Sequence, residues 1–387
     1  MALLKGNDLL NKTQCNALRG IAIIAIFLHN FCHWVTPIAI WENEYNFNMS
    51  FSNKMWHYLT DGGIDIYLPI QLFSFFGHYG VAIFLFLSGW GLVMKYERED
   101  SARSTTFQFV KYHWLKLFRL MLLGLIVSLI LHKIYDMSYR ENWFQHLVAQ
   151  LMLCNNVLKH PNFNIIPGPY WFFGLMLEVY VIYRVIIFPF SNIKNQKWRW
   201  LKWFIPVTLV IWAIGIQMPL INRPTILSYL RYNAVVAMLP FTIGVLVARF
   251  GFPKIPKWTL VIIASVSLAA LMLVNFNYYA WLWGHLVVIV GATSFIMLFR
   301  SHNAKAQQRL NSTLKPLVWM GALSSCIFVV HPFVRVPFVK VVLLRQDPVS
   351  PTVYLWIALY IAVTILLACT YKYFLKLYPE PKLKTIN

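Results

Sequence analysis

Charge is scarce in this 387-residue chain, where 12% of residues are Asp, Glu, Lys or Arg. A soluble domain carries about 25%, so a soluble enzyme, a disordered chain and a fibrous protein are all excluded. Acid is scarcest, with 13 Asp and Glu against 34 Lys and Arg. Cysteine is sparse too. Cys15, Cys32, Cys154, Cys326 and Cys369 are scattered without a CxxC pair, so they read as small packing residues, not disulfides or zinc ligands. No internal repeat, low-complexity tract or separate soluble region breaks the chain, and one domain over 1–387 is expected. The first apolar run begins at Arg19 and lacks a small-residue cleavage site, so no cleavable signal peptide is expected.

Apolar residues are abundant, at 59% hydrophobic and 17% aromatic. Runs long enough to cross a bilayer occur near 18–36, 77–95, 108–131, 169–190, 203–221, 233–250, 258–275, 281–299, 316–334 and 353–375. The fold class is therefore all-α: a polytopic membrane bundle of about ten transmembrane helices. A shorter run, 144–157, contains His146 and Gln150 and reads as an additional interfacial or re-entrant helix. With ten spans, 23 of the 34 Lys and Arg fall on the side of both termini and nine on the other, with Arg19 and Arg184 set apart. The positive-inside rule then puts both termini in the cytoplasm, which predicts a multi-pass protein of the cytoplasmic membrane. That asymmetry explains much of the +21 net charge without a nucleic-acid partner. The outer loop 37–76 differs in character: it carries Glu42, Glu44, Asp61 and Asp65 against a single Lys54, and a loop of that length often covers a site.

An ionisable residue on a spanning helix is a functional hypothesis in its own right. Here these are Arg19, His29, His33, His113, Lys116, Arg119, Glu178 and His331. Glu178 is the one acid well inside an apolar run, so it is the expected partner of a buried Arg or charged His. His29 and His33 share a helical face at about 6 Å, and His29 lies roughly 15 Å along the helix from Arg19. A neutral imidazole there can act as a general base. Two hydrogen-bonded packing residues, or a metal pair needing a third ligand such as His331 or Glu178, are the other readings. No metal-ligand spacing exists beyond the pair, and none is expected to be bound. Arg119 is either a salt-bridge partner of Glu178 or an anion clamp fed by Lys95, Arg98, Lys111 and Lys116. The Ser88-Gly89 step and Gly91 permit close helix approach.

Taken in order, five segments carry a resemblance. They are LRGIAIIAIFLHNFCHW, GHYGVAIFLFLSGWGLV, FVKYHWLKLFRL, GPYWFFGLMLEVYVIY and SSCIFVVHPFV. Together they resemble the acyltransferase-3 family of integral membrane acyltransferases. The family's Arg-spacer-His motif usually leaves ten residues between Arg and His, whereas nine separate Arg19 from His29. Ten helical steps fall about 80° short of a shared face, while His33, fourteen steps on, is about 40° off it. His29 is taken as the base, with His33 kept as the second candidate.

The resemblance implies transfer of an acyl group, often acetyl, from acyl-CoA as co-substrate to a hydroxyl of a cell-surface or lipid-linked carbohydrate. No cofactor is expected to be bound permanently. The implied catalytic residues are His29, Arg19, Glu178 and His33. Those implied to contact acyl-CoA or acceptor are Arg98, Lys116, Arg119, Trp171, Ser88 and His331. CoA phosphates would approach the basic cytoplasmic face, the acceptor would come from the side of loop 37–76, and membrane lipid is the surrounding partner. The rival class is a transporter or flippase using the same His, Arg and Glu as a proton relay, but no inverted repeat or matched pair of broken helices supports it.

Overall fold

The computed structural model describes residues 3–4, 9–36, 38–98, 104–135, 142–161, 167–301, 303–343 and 350–383. Lys5, Arg103, Arg140, Arg345 and Lys384, all part of the charge asymmetry, lie outside the described residues. Helices dominate. A two-residue antiparallel pairing joins Leu3–Leu4 (β1) to Phe252–Pro253 (β2).

The chain opens with α1 (Lys12–Cys32), started by a capping box in which Asn11 and Gln14 satisfy each other's backbone N–H groups. An amphipathic helix α2 (Met49–Thr60) and α3 (Leu68–Phe76) follow, and α3 runs through one turn into α4 (Gly80–Tyr96). A Thr105–Gln108 capping box starts α5 (Thr106–Ile134). Then come α6 (Trp143–Leu151), α7 (Trp171–Ile182), α8 (Leu201–Gly215), α9 (Pro224–Arg231) and α10 (Ala234–Phe250). The remainder is α11 (Lys257–Leu273), α12 (Tyr278–Trp281), α13 (Gly284–Leu298), α14 (Ala304–Pro337) and α15 (Val353–Leu377).

Among the described residues, eight helical segments are long and apolar enough to cross a membrane, and the α9–α10 pair, bent by 47°, makes a ninth if it is counted as one span. The run expected at 281–299 forms α13, only 15 residues long, or about 22 Å. The lipid-facing character is plain on α11, where Leu268 is 74% exposed. The protein is a multi-pass membrane bundle. The expected short helix at 144–157 is α6 followed by a 3-10 turn, too short to cross.

The expected span 77–95 begins earlier, because Leu68–Tyr96 forms one 29-residue segment. Gln71, Ser74 and His78 interrupt the apolar run in sequence, yet all three are buried. The loop expected over 37–76 is correspondingly shorter, and α3 belongs to the bundle.

Among the described residues, three helix pairs touch backbone to backbone. On α1 and α14, Gly20 faces the Leu317 carbonyl and Gly321 faces that of Asn16, so a Cβ at either would overlap it. Gly89 and Gly244 do the same for α4 and α10, against the carbonyls of Phe241 and Phe86. Gly91, also expected at a close approach, faces open space. Gly80 makes such a contact between α4 and α1, against the Ala22 carbonyl, and Gly77 just before it lies on the Ala25 carbonyl, so α1 and α4 run side by side in opposite directions and the end of α1 meets the start of α4.

Candidate active site

The last turn of α1 carries His29, and His33 caps the helix one turn on. Gly77, where α3 meets α4, packs directly on the His29 side chain. There the turn presents backbone carbonyls to the imidazole: Nδ1 of His29 lies 2.9 Å from the Ser74 oxygen and 3.2 Å from that of Phe73. Only a ring N–H can face two carbonyls, so Nδ1 holds the proton and Nε2 holds the lone pair. Nε2 faces Glu44 Oε2 at 3.8 Å. His33 Nδ1 lies 2.9 Å from Glu42 Oε2, with the angle out of hydrogen-bond alignment, and its ring packs on Trp41. The two imidazole centroids are 5.5 Å apart.

Segment 38–48 brings both carboxylates to these histidines because it is tied down from several sides. Gln71 donates to the Ile38 carbonyl and accepts from the Ile40 N–H, and Ser74 donates to the Ile40 carbonyl. Asn43 is fully buried; its amide donates to Ser52, and its carbonyl accepts from the Trp281 indole. Arg231 donates to the Glu44 carbonyl at 2.6 Å while its guanidinium stacks over Trp281. Burial pushes the Glu42 carboxyl up, but His33 beside it and His29 beyond outweigh this, and it titrates below the usual carboxylate value. Burial and then the neighbouring Glu44 hold the Tyr45 hydroxyl well above its ordinary value, so it stays a proton donor.

Further groups line the same end. The His78 ring lies 5.7 Å from that of His29. Tyr45 stacks on Tyr232 at 4.3 Å, and Trp171 packs edge-on against Tyr232 at 5.0 Å, making an aromatic wall. His331 is fully buried on α14; its Nδ1 lies 3.1 Å from the Ile327 carbonyl, and its Nε2 has no hydrogen-bond partner among the described residues. One turn further, Arg335 holds the Asn30 carbonyl at 2.8 Å and covers Trp34.

A base-competent imidazole oriented by backbone, beside a carboxylate, is the machinery of proton abstraction from a hydroxyl. The family model described as an acyltransferase domain matches residues 13–372, nearly the whole chain. The chain belongs to the acyltransferase-3 family. No curated protein and no solved structure matches it. This membrane acyltransferase therefore carries its histidine site at the end of α1 away from Lys12.

The other expected residues of the acyltransferase divide into two groups. Trp171 and His331 join His29 and His33 at this end. Arg19 and Lys116 lie toward the opposite end, around the buried His113, whose ring packs on Tyr180 at 4.3 Å and faces the Tyr96 hydroxyl at 3.3 Å. Arg19 holds Asn16, and its charge reaches Tyr180, while those of Lys95 and Lys116 reach His113. Arg98, at the end of α4, contacts Met94.

Three residues have other partners than expected. Glu178 accepts the Ala234 N–H at 2.7 Å and so caps α10, instead of pairing with Arg119 or His29. Arg119 donates to the carbonyls of Leu375 and Tyr378 and lies 3.8 Å from Glu380, closing the end of α15. Free carbonyls at a helix C-terminus attract a cation for the same reason that free N–H groups at an N-terminus attract an anion. Ser88 donates to the Phe84 carbonyl within its own helix at 2.8 Å. The acids that do meet the histidines are Glu42 and Glu44. Their sequence signal was an acidic, aromatic loop next to a His-x-x-x-His helix end. His78 and Arg231 carried no comparable signal, because one looked like part of an apolar segment and the other like a loop cation.

Proposed function

We propose that this acyltransferase moves an acyl group, acetyl in the simplest case, from acyl-CoA to a hydroxyl of a cell-surface or lipid-linked carbohydrate. It does so at the cytoplasmic membrane with both termini in the cytoplasm. The observation that carries the reading is His29, with Nδ1–H held on the Phe73 and Ser74 carbonyls and Nε2 turned toward Glu44.

His29 Nε2 takes the proton of the acceptor hydroxyl as its oxygen attacks the thioester carbonyl. The new C–O ester bond forms, the C–S bond breaks, and the CoA sulfur leaves with the proton that His29 received. Glu44 stabilises the imidazolium formed in between. Trp171, Tyr45 and Tyr232 offer flat apolar faces to a sugar ring, with the carboxylates of the loop facing its hydroxyls. CoA phosphates are drawn to the opposite end by Arg19, Lys95, Arg98 and Lys116. The separation of Arg19 and His29 along α1, about 15 Å, is spanned by the extended pantetheine arm. Arg119 and Glu178 act as helix-end ties, and Ser88 as an internal hydrogen bond of α4.

The test is thiol release and acyl transfer by purified protein in nanodiscs, wild type beside His29→Ala and His33→Ala. Loss at His29 alone supports the reading. Loss at His33 alone moves the base one turn. Full activity in both variants rejects the mechanism, and an inert wild type across several acyl-CoA donors and acceptors rejects the donor and acceptor classes.

A further inference from the structure

The end of α1 has the makings of a metal site that the sequence did not disclose. His29, His33 and Glu42 each offer a ligand atom, and the three atoms lie within 4.8 Å of one another. The third ligand is Glu42, not His331 or Glu178. Three independent features favour a cation over an accidental cluster. First, a metal-binding imidazole normally donates its other N–H to a carbonyl or carboxylate, which fixes the ring and its tautomer. His29 already does this through Nδ1 on Ser74 and Phe73. Second, His33 Nδ1 and Glu42 Oε2 face each other at 2.9 Å without hydrogen-bond alignment, and neither atom has another partner among the described residues. Two heteroatoms so placed can both turn to a shared centre. Third, Glu42 and, two residues on, Glu44, whose carboxylate lies 3.8 Å from His29 Nε2, supply negative charge where a dication would sit.

The ligand chemistry selects the ion. Two imidazoles and one carboxylate suit zinc, whereas calcium and magnesium call for an all-oxygen shell. Tetrahedral ligands at about 2.0–2.2 Å from zinc are roughly 3.4 Å apart, so atoms up to 4.8 Å apart must close by as much as about 1.4 Å, while His33 Nδ1 and Glu42 Oε2, at 2.9 Å, must open by about 0.5 Å. The adjustment falls on the side chains of His33, which ends α1, and Glu42, on the segment after it. The His33 side chain is 21% exposed, which leaves a way in from the surface.

We propose that His29, His33 and Glu42 bind one Zn2+ ion, and that this ion blocks acyl transfer by occupying the lone pair of His29 Nε2. The blocking step rests on the reading of His29 as the base, but the binding does not. The ion is thus a reversible inhibitor that competes for the atom needed to deprotonate the acceptor.

Titration of the full-length protein in nanodiscs with Co2+ alone, with no acyl donor present, tests the binding. The expected result is a saturable visible absorption of a four-coordinate site, displaced by one equivalent of Zn2+. His33→Ala and Glu42→Gln should each weaken it at least about tenfold, while His57→Ala, at an exposed pair with Asp61, should not. Should the variants fail to fold, labelling of wild-type His29 by an acylating histidine reagent, read by mass spectrometry, must slow with Zn2+. Absence of saturable binding, binding insensitive to both variants, or labelling indifferent to Zn2+ overturns the metal site. Zinc binding together with undiminished acyl transfer overturns the inhibition. Zinc binding by a protein without acyl transfer leaves the site standing and removes the reading of its activity instead.

Discussion

At the end where α1 begins, Glu97 and Arg249 meet in a two-pronged ion pair, both contacts at 2.8 Å, with both side chains over nine-tenths buried. Arg249 also holds the carbonyls of Lys202 and Ile187, and Tyr183 donates to Glu97. At the end where α1 stops, ionisable groups are just as crowded but unevenly matched. His29 faces Glu44 at 3.8 Å, His33 is misaligned with Glu42, and one nitrogen of His331 has no hydrogen-bond partner among the described residues. Buried polar groups cost free energy unless satisfied. The first arrangement is a finished structural joint. The second keeps unspent bonding capacity, which a substrate proton or a cation can use.

Several experiments would break or sharpen this contrast. The largest effect is expected from His29→Ala, which should lower acyl transfer by about 10²–10⁴-fold, the range for loss of a general base. Its unfolding temperature should fall less than that of Glu97→Ala, since no buried charge is left unpaired. Glu97→Ala should do the reverse: leaving Arg249 buried and unpaired costs about 3–5 kcal/mol, read as a large fall in unfolding temperature, with turnover per folded molecule preserved. If Glu97→Ala instead impaired catalysis without destabilising, the two ends could not be separated in this way.

Much of the bundle was legible in the sequence because spanning runs are long and apolar, and every expected run coincides with a helix. The exceptions share a cause. Gln71, Ser74 and His78 are buried polar residues satisfied or enclosed by chain distant in sequence, so hydropathy placed α3 outside the bundle. Glu178 misled for a similar reason. A lone acid in an apolar run suggests a cation partner, but a helix N-terminus offers the same positive potential through its N–H groups, and Ala234 supplies it. The histidine pair was readable from its four-residue spacing. Its acidic partners were visible only as the unusual composition of the loop, since nothing local states which residues of 37–76 fold back.

Smaller effects refine the picture. Glu44→Gln should lower turnover about tenfold, since one pKa unit of lost imidazolium stabilisation is about 1.4 kcal/mol. Glu42→Gln should act on acid stability. Because the folded Glu42 titrates below its ordinary value of 4.5, its contribution is complete above that value and lost as the pH falls through the lower folded one. The wild type should therefore lose stability in acid more steeply than Glu42→Gln. The smallest effect is expected from Arg119→Ala, which removes a helix-end tie worth about 1 kcal/mol and should leave the KM for acyl-CoA unchanged. A raised KM there would restore the anion-clamp reading.

The reciprocal glycine contacts of α1 with α14 bear on how substrates can reach His29. Two helices locked backbone to backbone at Gly20 and Gly321 form a single beam, with His29 and His331 riding on its two halves. Such a beam cannot shear to open the chamber first to one aqueous phase and then to the other, as a rocking carrier would. On the proposed function, entry comes from the pieces that rest against it, above all segment 38–48, which is fastened by individual hydrogen bonds. A covalent clamp between α1 and α14 should be silent in turnover, whereas one fastening segment 38–48 to Trp281 should stall it.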